Sequence, residues 1–108
     1  MYKISFYVPP SHVELVKTAM FNAGAGRIGH YDCCAWQVLG MGQFRPLASA
    51  KPFVGTHDVI ELVAEYKVEM VCAKENIVAA IAALKKNHPY EEPAYDVLQL
   101  ANLKLDAS

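Results

Sequence analysis

The sequence predicts an α+β fold in which two helices cover one face of a four-stranded antiparallel sheet. Four segments alternate apolar and polar residues with the period of two that is typical of strands, and two segments carry apolar residues at helical spacing. These segments follow one another in the order β-α-β-β-α-β. Because short helices and few strands in this order suit the ferredoxin-like split βαβ sandwich, we predict one such domain over residues 1–108.

The first strand and the first helix have clear boundary signals. Residues 2–8 alternate and two prolines follow them. Ser11 and Glu14 then have the S-x-x-E spacing of a capping box, in which side chains satisfy the free amide groups at a helix start. Gly24 suits the left-handed residue that ends a helix. The pattern therefore predicts a strand at 2–8 and a helix at 12–23.

A second strand is predicted around Trp36, within residues 33–38, and Gly40 and Gly42 would close it. If Trp36 faces the helices, we expect the substitution Trp36→Ala to lower the free energy of unfolding by about 3–5 kcal/mol. Residues 60–72 alternate throughout and predict a long third strand.

The last two elements are a helix at 75–87, which begins near an acidic residue and ends in two lysines, and a strand at 94–100. We expect residues 102–108 to form a frayed tail. Between the second and third strands lies a connection at 43–59 that is longer than the ~12–15 residues beyond which loops are uncommon unless they have a function.

The length of the third strand predicts self-association. Residues 60–72 exceed the ~5–6 residues that are usual for a strand. A long strand that protrudes offers an unpaired edge to another subunit. We therefore predict a cyclic homo-oligomer and favour a trimer.

Composition excludes several classes of protein. Ten Lys and Arg residues against eleven Asp and Glu residues give a net charge of -1, which argues against nucleic-acid binding. Apolar runs are too short for a membrane span, and residues 1–10 lack the pattern of a secretion signal, so we expect a cytoplasmic protein with no membrane partner. Cys33, Cys34 and Cys72 lack the spacing of a zinc site, which favours reduced thiols.

Residues 24–29 match the G-x-G-x-x-G pattern but not its structural context. Dinucleotide binding needs a strand before the glycines and a helix after them, and here the order is reversed. The glycines are better explained as a helix end followed by tight turns. The alternative is an anion-binding nest of backbone amides beside Arg27 and His30.

A second candidate segment runs from His88 to Pro93. Its two prolines bracket a rigid stretch that displays His88, Tyr90, Glu91 and Glu92, which can bind a cation or act as acid and base. The alternative is a stiff connector in which Tyr90 packs and the glutamates are solvated. The sequence contains no nucleophile elbow and no H-E-x-x-H pair, so no catalytic residues are assigned.

Five segments together resemble the YqfO-type domain of the Nif-three-like proteins, and the likeness covers nearly the whole chain. These segments are GAGRIGHYD at 24–32, GQFRP at 42–46, PFVG at 52–55, EYKVE at 65–69 and HPYEEPAYDV at 88–97. The resemblance implies a fold similar to PII signalling proteins and to CutA divalent-cation tolerance proteins, which form trimers. CutA proteins have a comparable H-P-Y segment before their last strand.

The resemblance implies a non-enzymatic homotrimer that binds a small ligand or a divalent cation in clefts between subunits, with the loop at 43–59 as the sensing element. The ligand-binding residues expected from it are Arg27, His30, Tyr31, Phe44, Arg45 and Tyr90. The residues expected to meet a divalent cation, the one cofactor we consider, are His88, Glu91 and Glu92. The alternatives are a hydrolase for a nucleotide-like substrate and a regulatory module whose loop docks on a partner protein.

Overall fold

The computed structural model describes residues 1–102 and confirms the predicted order of strands and helices. Its elements are β1 (Tyr2–Val8), α1 (Val13–Asn22), β2 (Trp36–Phe44), β3 (Glu61–Cys72), a 3₁₀ turn (Lys74–Asn76), α2 (Ile77–Asn87) and β4 (Tyr95–Gln99). All strand pairs are antiparallel and the sheet order is β2-β3-β1-β4. The predicted tail lies outside the described residues from position 103 onward.

The core lies between one face of the sheet and the two helices. Alternation along β1 and β3 places every second side chain on this face, where the residues are almost fully buried. Both helices contribute an apolar stripe that packs against them. The core residues are Ile4, Phe6, Val8, Val13, Val16, Met20, Ala25, Val68, Met70, Cys72, Ala80 and Leu84. None of the helices in this part of the chain has the length and apolar character needed to cross a bilayer.

The predicted capping box at the start of α1 is wrong. His12 occupies the cap position and no side chain caps the helix. The Ser11 hydroxyl instead lies 2.7 Å from Nδ1 of His12, and the cap position is one residue later than predicted. Gly24 follows α1 with a φ of +103°, as the sequence predicts.

The predicted end of the second strand is also wrong, because β2 continues through both glycines to Phe44. Gly40 pairs with Glu65 and Gly42 pairs with Val63 on β3. The side chain of Glu65 lies across the strand, and a Cβ at Gly42 would collide with its carboxylate. Gly42 therefore marks a close approach of a side chain to the backbone rather than a strand end.

Trp36 does not face the helices. It pairs with Glu69 on the open face of the sheet, and 59% of its surface is exposed. The next residue, Gln37, points to the helix side, where its side chain accepts a hydrogen bond of 2.8 Å from Nζ of Lys17. The loss of about 3–5 kcal/mol expected for Trp36→Ala depends on Trp36 facing the helices, so it no longer applies.

One end of the sheet projects beyond the helices as a two-stranded arm, formed by residues 40–44 of β2 and 61–65 of β3. β1 pairs with β3 only from Tyr66 onward, so the arm has no third strand. The arm contributes to an elongated shape, with extents of 58 × 25 × 23 Å. An isolated two-stranded ribbon is at best marginally stable in water, so we expect a further contact to stabilise the arm.

Candidate functional site

A cavity of about 290 Å³ lies where the loop after the arm folds back against the segment that precedes β4. We call residues 45–60 the long loop and residues 88–94 the connector. The cavity sits beside β3, at the level where β3 extends beyond the end of β1. Its walls come from the arm, the long loop and the connector: Gln43, Phe44, Pro46, Ala50, Pro52, Phe53, Val54, Glu65, Tyr90, Glu91, Glu92 and Ala94.

Backbone hydrogen bonds hold the long loop in this position. Within the loop, the Asp58 N–H donates to the Pro46 carbonyl at 2.6 Å, which brings the two ends of the loop together. Between the loop and the connector, the Lys51 N–H donates to Oε1 of Glu91 at 3.0 Å. The loop is therefore folded onto the body of the protein rather than free in solution.

Three aromatic rings, one from each segment, form the apolar wall of the cavity. Tyr90 of the connector has its ring centroid 6.1 Å from that of Phe44 and 6.2 Å from that of Phe53. The Phe53 ring also meets His12 edge to face at 5.7 Å, which ties the loop to the start of α1. These spacings are those of favourable aromatic pairs.

Glu65 and Tyr90 form the polar part of the cavity. Burial raises the pKa of the Glu65 carboxyl, and a hydrogen bond with the Tyr90 side chain partly opposes that shift. Burial, together with the nearby charge of Glu65, raises the pKa of Tyr90 to about 12. The phenol therefore keeps its proton at neutral pH, beside the Glu65 carboxyl.

His88 fixes the position of Tyr90 through a hydrogen bond with its backbone. Its Nδ1 accepts a hydrogen bond of 3.1 Å from the Tyr90 N–H, so Nε2 must carry the proton and donate to the Tyr7 carbonyl at 2.6 Å. The side chain is only 7% exposed. Burial lowers the pKa of His88, the bond to the Tyr7 carbonyl opposes this shift, and the charge of His12 adds to it. His88 is thus a neutral buried side chain that joins the connector to β1.

The three residues expected to bind a divalent cation do not form a common site. Both ring nitrogens of His88 are engaged, whereas Glu91 and Glu92 are exposed at the cavity. Among residues 1–102, no group of three or more His, Cys, Asp or Glu side chains is placed to hold a metal ion. Metal binding by these residues stays a prediction.

The residues expected to bind a ligand fall into two groups. Phe44 and Tyr90 line the cavity, and Arg45 is exposed next to Phe44 without lining it. Arg27, His30 and Tyr31 are exposed in the loop before β2.

This second group lies at the opposite end of the sheet. The loop before β2 is held there by a hydrogen bond of 2.7 Å from the Gly26 N–H to the Val71 carbonyl. Along β3, Val71 is roughly 20 Å from Glu65 at ~3.3 Å per residue. One subunit therefore does not bring the two groups of predicted ligand-binding residues together.

Among the cavity residues that were not expected from the sequence, Phe53 and Glu65 contribute a ring and a charge. Both lie in segments that carry the family resemblance, at 52–55 and 65–69. In the sequence Phe53 belongs to an irregular loop and Glu65 to an alternating strand, so neither has a local signal for a site. The sequence feature that could have identified them as site residues is therefore the family resemblance of their segments.

Comparison with known proteins identifies larger relatives. The Mycobacterium leprae protein named GTP cyclohydrolase 1 type 2 homolog is 49% identical over 94 residues, which are 87% of this chain and 24% of that protein. The Bacillus subtilis protein of the same name is 48% identical over 95 residues, 88% of this chain and 26% of that protein. The crystal structure of a Bacillus cereus protein related to NIF3 superposes with a TM-score of 0.81 at 36% identity, over 94% of this chain and 26% of that one.

The chain is homologous to one domain of the Nif-three-like proteins. The resemblance predicted from the five sequence segments is thereby confirmed. The chain spans about a quarter of the length of the curated relatives it matches. No protein-family model matches it.

More distant structures share the fold of the chain. The periplasmic divalent cation tolerance protein CutA from Archaeoglobus fulgidus superposes with a TM-score of 0.68 at 16% identity, over 96% of this chain and 89% of that one. The Bacillus subtilis GlnK–ATP complex superposes with a TM-score of 0.60 at 11% identity, over 93% of this chain and 82% of that one. At these identities the likeness concerns the fold alone, and it confirms the predicted ferredoxin-like, CutA-like and PII-like architecture.

Proposed function

We propose that the chain is a non-enzymatic module that self-associates and binds a small ligand in the cavity between the arm, the long loop and the connector. One observation carries this proposal. Four of the five segments that carry the family resemblance, at 42–46, 52–55, 65–69 and 88–97, contribute residues to the lining of this one cavity. These segments are far apart in the sequence, and the fold brings them together.

The size and lining of the cavity support a small ligand. Its volume of about 290 Å³ lies near the lower end of the ~300–1,000 Å³ that is usual for ligand sites. Aromatic walls with a few polar groups, here the Glu65 carboxylate and the Tyr90 hydroxyl, are also typical of such sites.

The arm supports self-association. Leu39, Met41 and Leu62 lie on the side of β2 and β3 that continues the helix-packed face, and 56%, 70% and 57% of their surfaces are exposed. A second copy that covers this apolar side would supply the layer that the ribbon lacks. The trimer and the clefts between subunits rest on the resemblance and, like the cytoplasmic location, are proposals.

The hydrolase alternative depends on a histidine paired with a carboxylate in a cleft. Within residues 1–102, no such pair lies within ion-pair distance: the salt bridges described there join lysines to glutamates. His88, the histidine behind the cavity, bonds to backbone atoms on both sides. The non-enzymatic interpretation is therefore preferred, and the name of the larger relatives adds no catalytic residue in this chain.

A binding screen with a blocked variant tests the proposal. Small molecules, including nucleotides and salts of copper, zinc and nickel, are screened by NMR with the full chain. Ala94 lines the cavity and its side chain is exposed, so Ala94→Trp should fill the space and abolish binding of true ligands. The matched control is Ala82→Trp, on the exposed side of α2. A screen in which no compound loses binding in Ala94→Trp would contradict the proposed site.

Sedimentation velocity tests self-association independently of the ligand. We expect the full chain to sediment as an oligomer at micromolar concentration. A monodisperse monomer under these conditions would contradict this part of the proposal.

A further inference from the structure

We propose that the ligand of the cavity is an organic cation, a substituted ammonium ion, whose charged group lies against the rings of Phe44, Phe53 and Tyr90 and beside the Glu65 carboxylate. This inference rests on the proposed function, in which the cavity takes a small ligand. It adds the chemical class of that ligand.

The charges in the lining select a cation. Three of the lining residues are glutamates, Glu65, Glu91 and Glu92, and none is a lysine, arginine or histidine. Arg45 and Lys51 belong to the long loop, yet both are exposed and neither lines the cavity. A phosphate or carboxylate ligand would meet only like charges here, whereas a cation would be attracted.

The aromatic walls select an organic cation over a metal ion. The face of an aromatic ring carries negative charge density and attracts a cation within about 6 Å of its centroid. Phe44 and Phe53 flank Tyr90 at interplanar angles of 50° and 47°, so the cavity presents rings in several orientations. A bare divalent metal ion needs several oxygen or nitrogen ligands, and no such set is placed to hold one among residues 1–102.

Glu65 provides a fixed partner for the charge. Glu91 and Glu92 are exposed, but Glu65 is partly buried on β3, where its side chain lies against Gly42 and lines the cavity together with Tyr90. Tyr90 itself is anchored through its backbone to His88. Burial raises the pKa of Glu65 because water solvates its carboxylate incompletely. A bound cation would stabilise the carboxylate in place of the missing water.

The test compares a cation with its uncharged analogue of the same shape. The probes are choline and 3,3-dimethyl-1-butanol, in which carbon replaces the quaternary nitrogen. Binding to the full chain is measured by calorimetry and by NMR. We expect choline to bind at least about tenfold more tightly than the alcohol, because only choline gains the ring and carboxylate attractions.

Two variants assign the selectivity to Glu65. Glu65→Gln keeps an acceptor for the Tyr90 hydroxyl and removes the charge, so choline affinity should fall about tenfold while that of the alcohol stays the same. Glu61→Gln is the matched control, since Glu61 lies on the same face of the same strand and does not line the cavity. It should leave both affinities unchanged.

The outcomes separate this inference from the proposed function. If the alcohol binds as tightly as choline, or if Glu65→Gln changes nothing, the cation assignment is overturned and the cavity remains a ligand site. If neither probe binds but an anionic or uncharged compound loses binding in Ala94→Trp, the assignment is again overturned. If no compound at all binds in the cavity, the proposed function fails, and the inference fails with it.

Discussion

Replacement of the buried histidine behind the cavity is the sharpest test of the structure. His88→Ala removes the hydrogen bond of 2.6 Å to the Tyr7 carbonyl and the bond of 3.1 Å from the Tyr90 N–H. Each buried polar group left without a partner costs about 1–3 kcal/mol. Since water can reach part of the space that the imidazole leaves, we expect a total loss of about 2–4 kcal/mol in the free energy of unfolding.

The same residue predicts a pH dependence. The folded chain holds His88 neutral because burial lowers its pKa below the ordinary value of 6.5, which applies in the unfolded chain. Below that value the unfolded chain binds a proton that the folded chain resists. The contribution of His88 to stability is therefore fully present above pH 6.5 and is lost as the pH falls toward the folded-state pKa.

The assay is urea unfolding followed by circular dichroism between pH 8 and pH 5, at one fixed protein concentration because self-association adds to stability. His88→Ala should be less stable than the unchanged chain at pH 8, and the gap should narrow toward pH 5. His30→Ala, in the exposed loop before β2, should stay within about 0.5 kcal/mol of the unchanged chain. A His88→Ala variant that unfolds like the unchanged chain at every pH would refute the reasoning.

Three further outcomes are expected. Met41→Glu places a charge on the apolar side of the arm and should weaken self-association at least about tenfold in sedimentation velocity. Val78→Glu, at a side chain 80% exposed on α2, should leave self-association unchanged. Equal effects of the two substitutions would argue against an interface at the arm. Gly26→Ala should cost about 2–4 kcal/mol in thermal unfolding, because its φ is +79° and a Cβ would lie 2.8 Å from a phenylalanine ring. Gly29→Ala, in open space at φ +58°, should cost only about 1 kcal/mol, and a similar loss at both positions would count against the packing argument. Choline affinity should rise as the pH increases through the folded-state pKa of Glu65, which burial raises above 4.5. Calorimetry that shows no such rise would remove Glu65 from the site.

The strands with one buried face could be predicted from the sequence. In β1, Ile4 and Phe6 alternate with polar neighbours, and in β3, Val68 and Met70 do the same, because one side of each strand meets the helices and the other does not. This contrast is local, so the bounds of β1 and the antiparallel sheet follow from it. Most of the fold is set by such local patterns.

The second strand shows where local patterns fail. Val38 and Leu39 point to opposite faces of β2, yet both are exposed, so burial does not favour either face. The reason for Gly42 is the Glu65 side chain, which comes from a different strand. A contact of this kind has no trace in the sequence around the glycine.

The candidate site could be predicted only in part for the same reason. Tyr90 could be predicted as a site residue because it lies in a rigid stretch between two prolines. Phe44 could be predicted because it lies in a segment that carries the family resemblance. Their convergence with Phe53 depends on how the long loop folds back, which is a long-range property. Arg27 and His30 were expected among the ligand-binding residues, but their loop precedes β2 and Phe44 ends it, so the length of β2 separates them from the cavity.

The position of the cavity beside the arm has a thermodynamic consequence. A molecule that fills it touches Phe44 and Glu65 on the arm and Tyr90 on the body, and so it braces the projecting ribbon. If assembly also holds that ribbon, occupancy and assembly are reciprocal: each must change the equilibrium of the other by the same factor. Under this condition the concentration of the ligand would change the oligomeric state of the chain, without a hinge between domains.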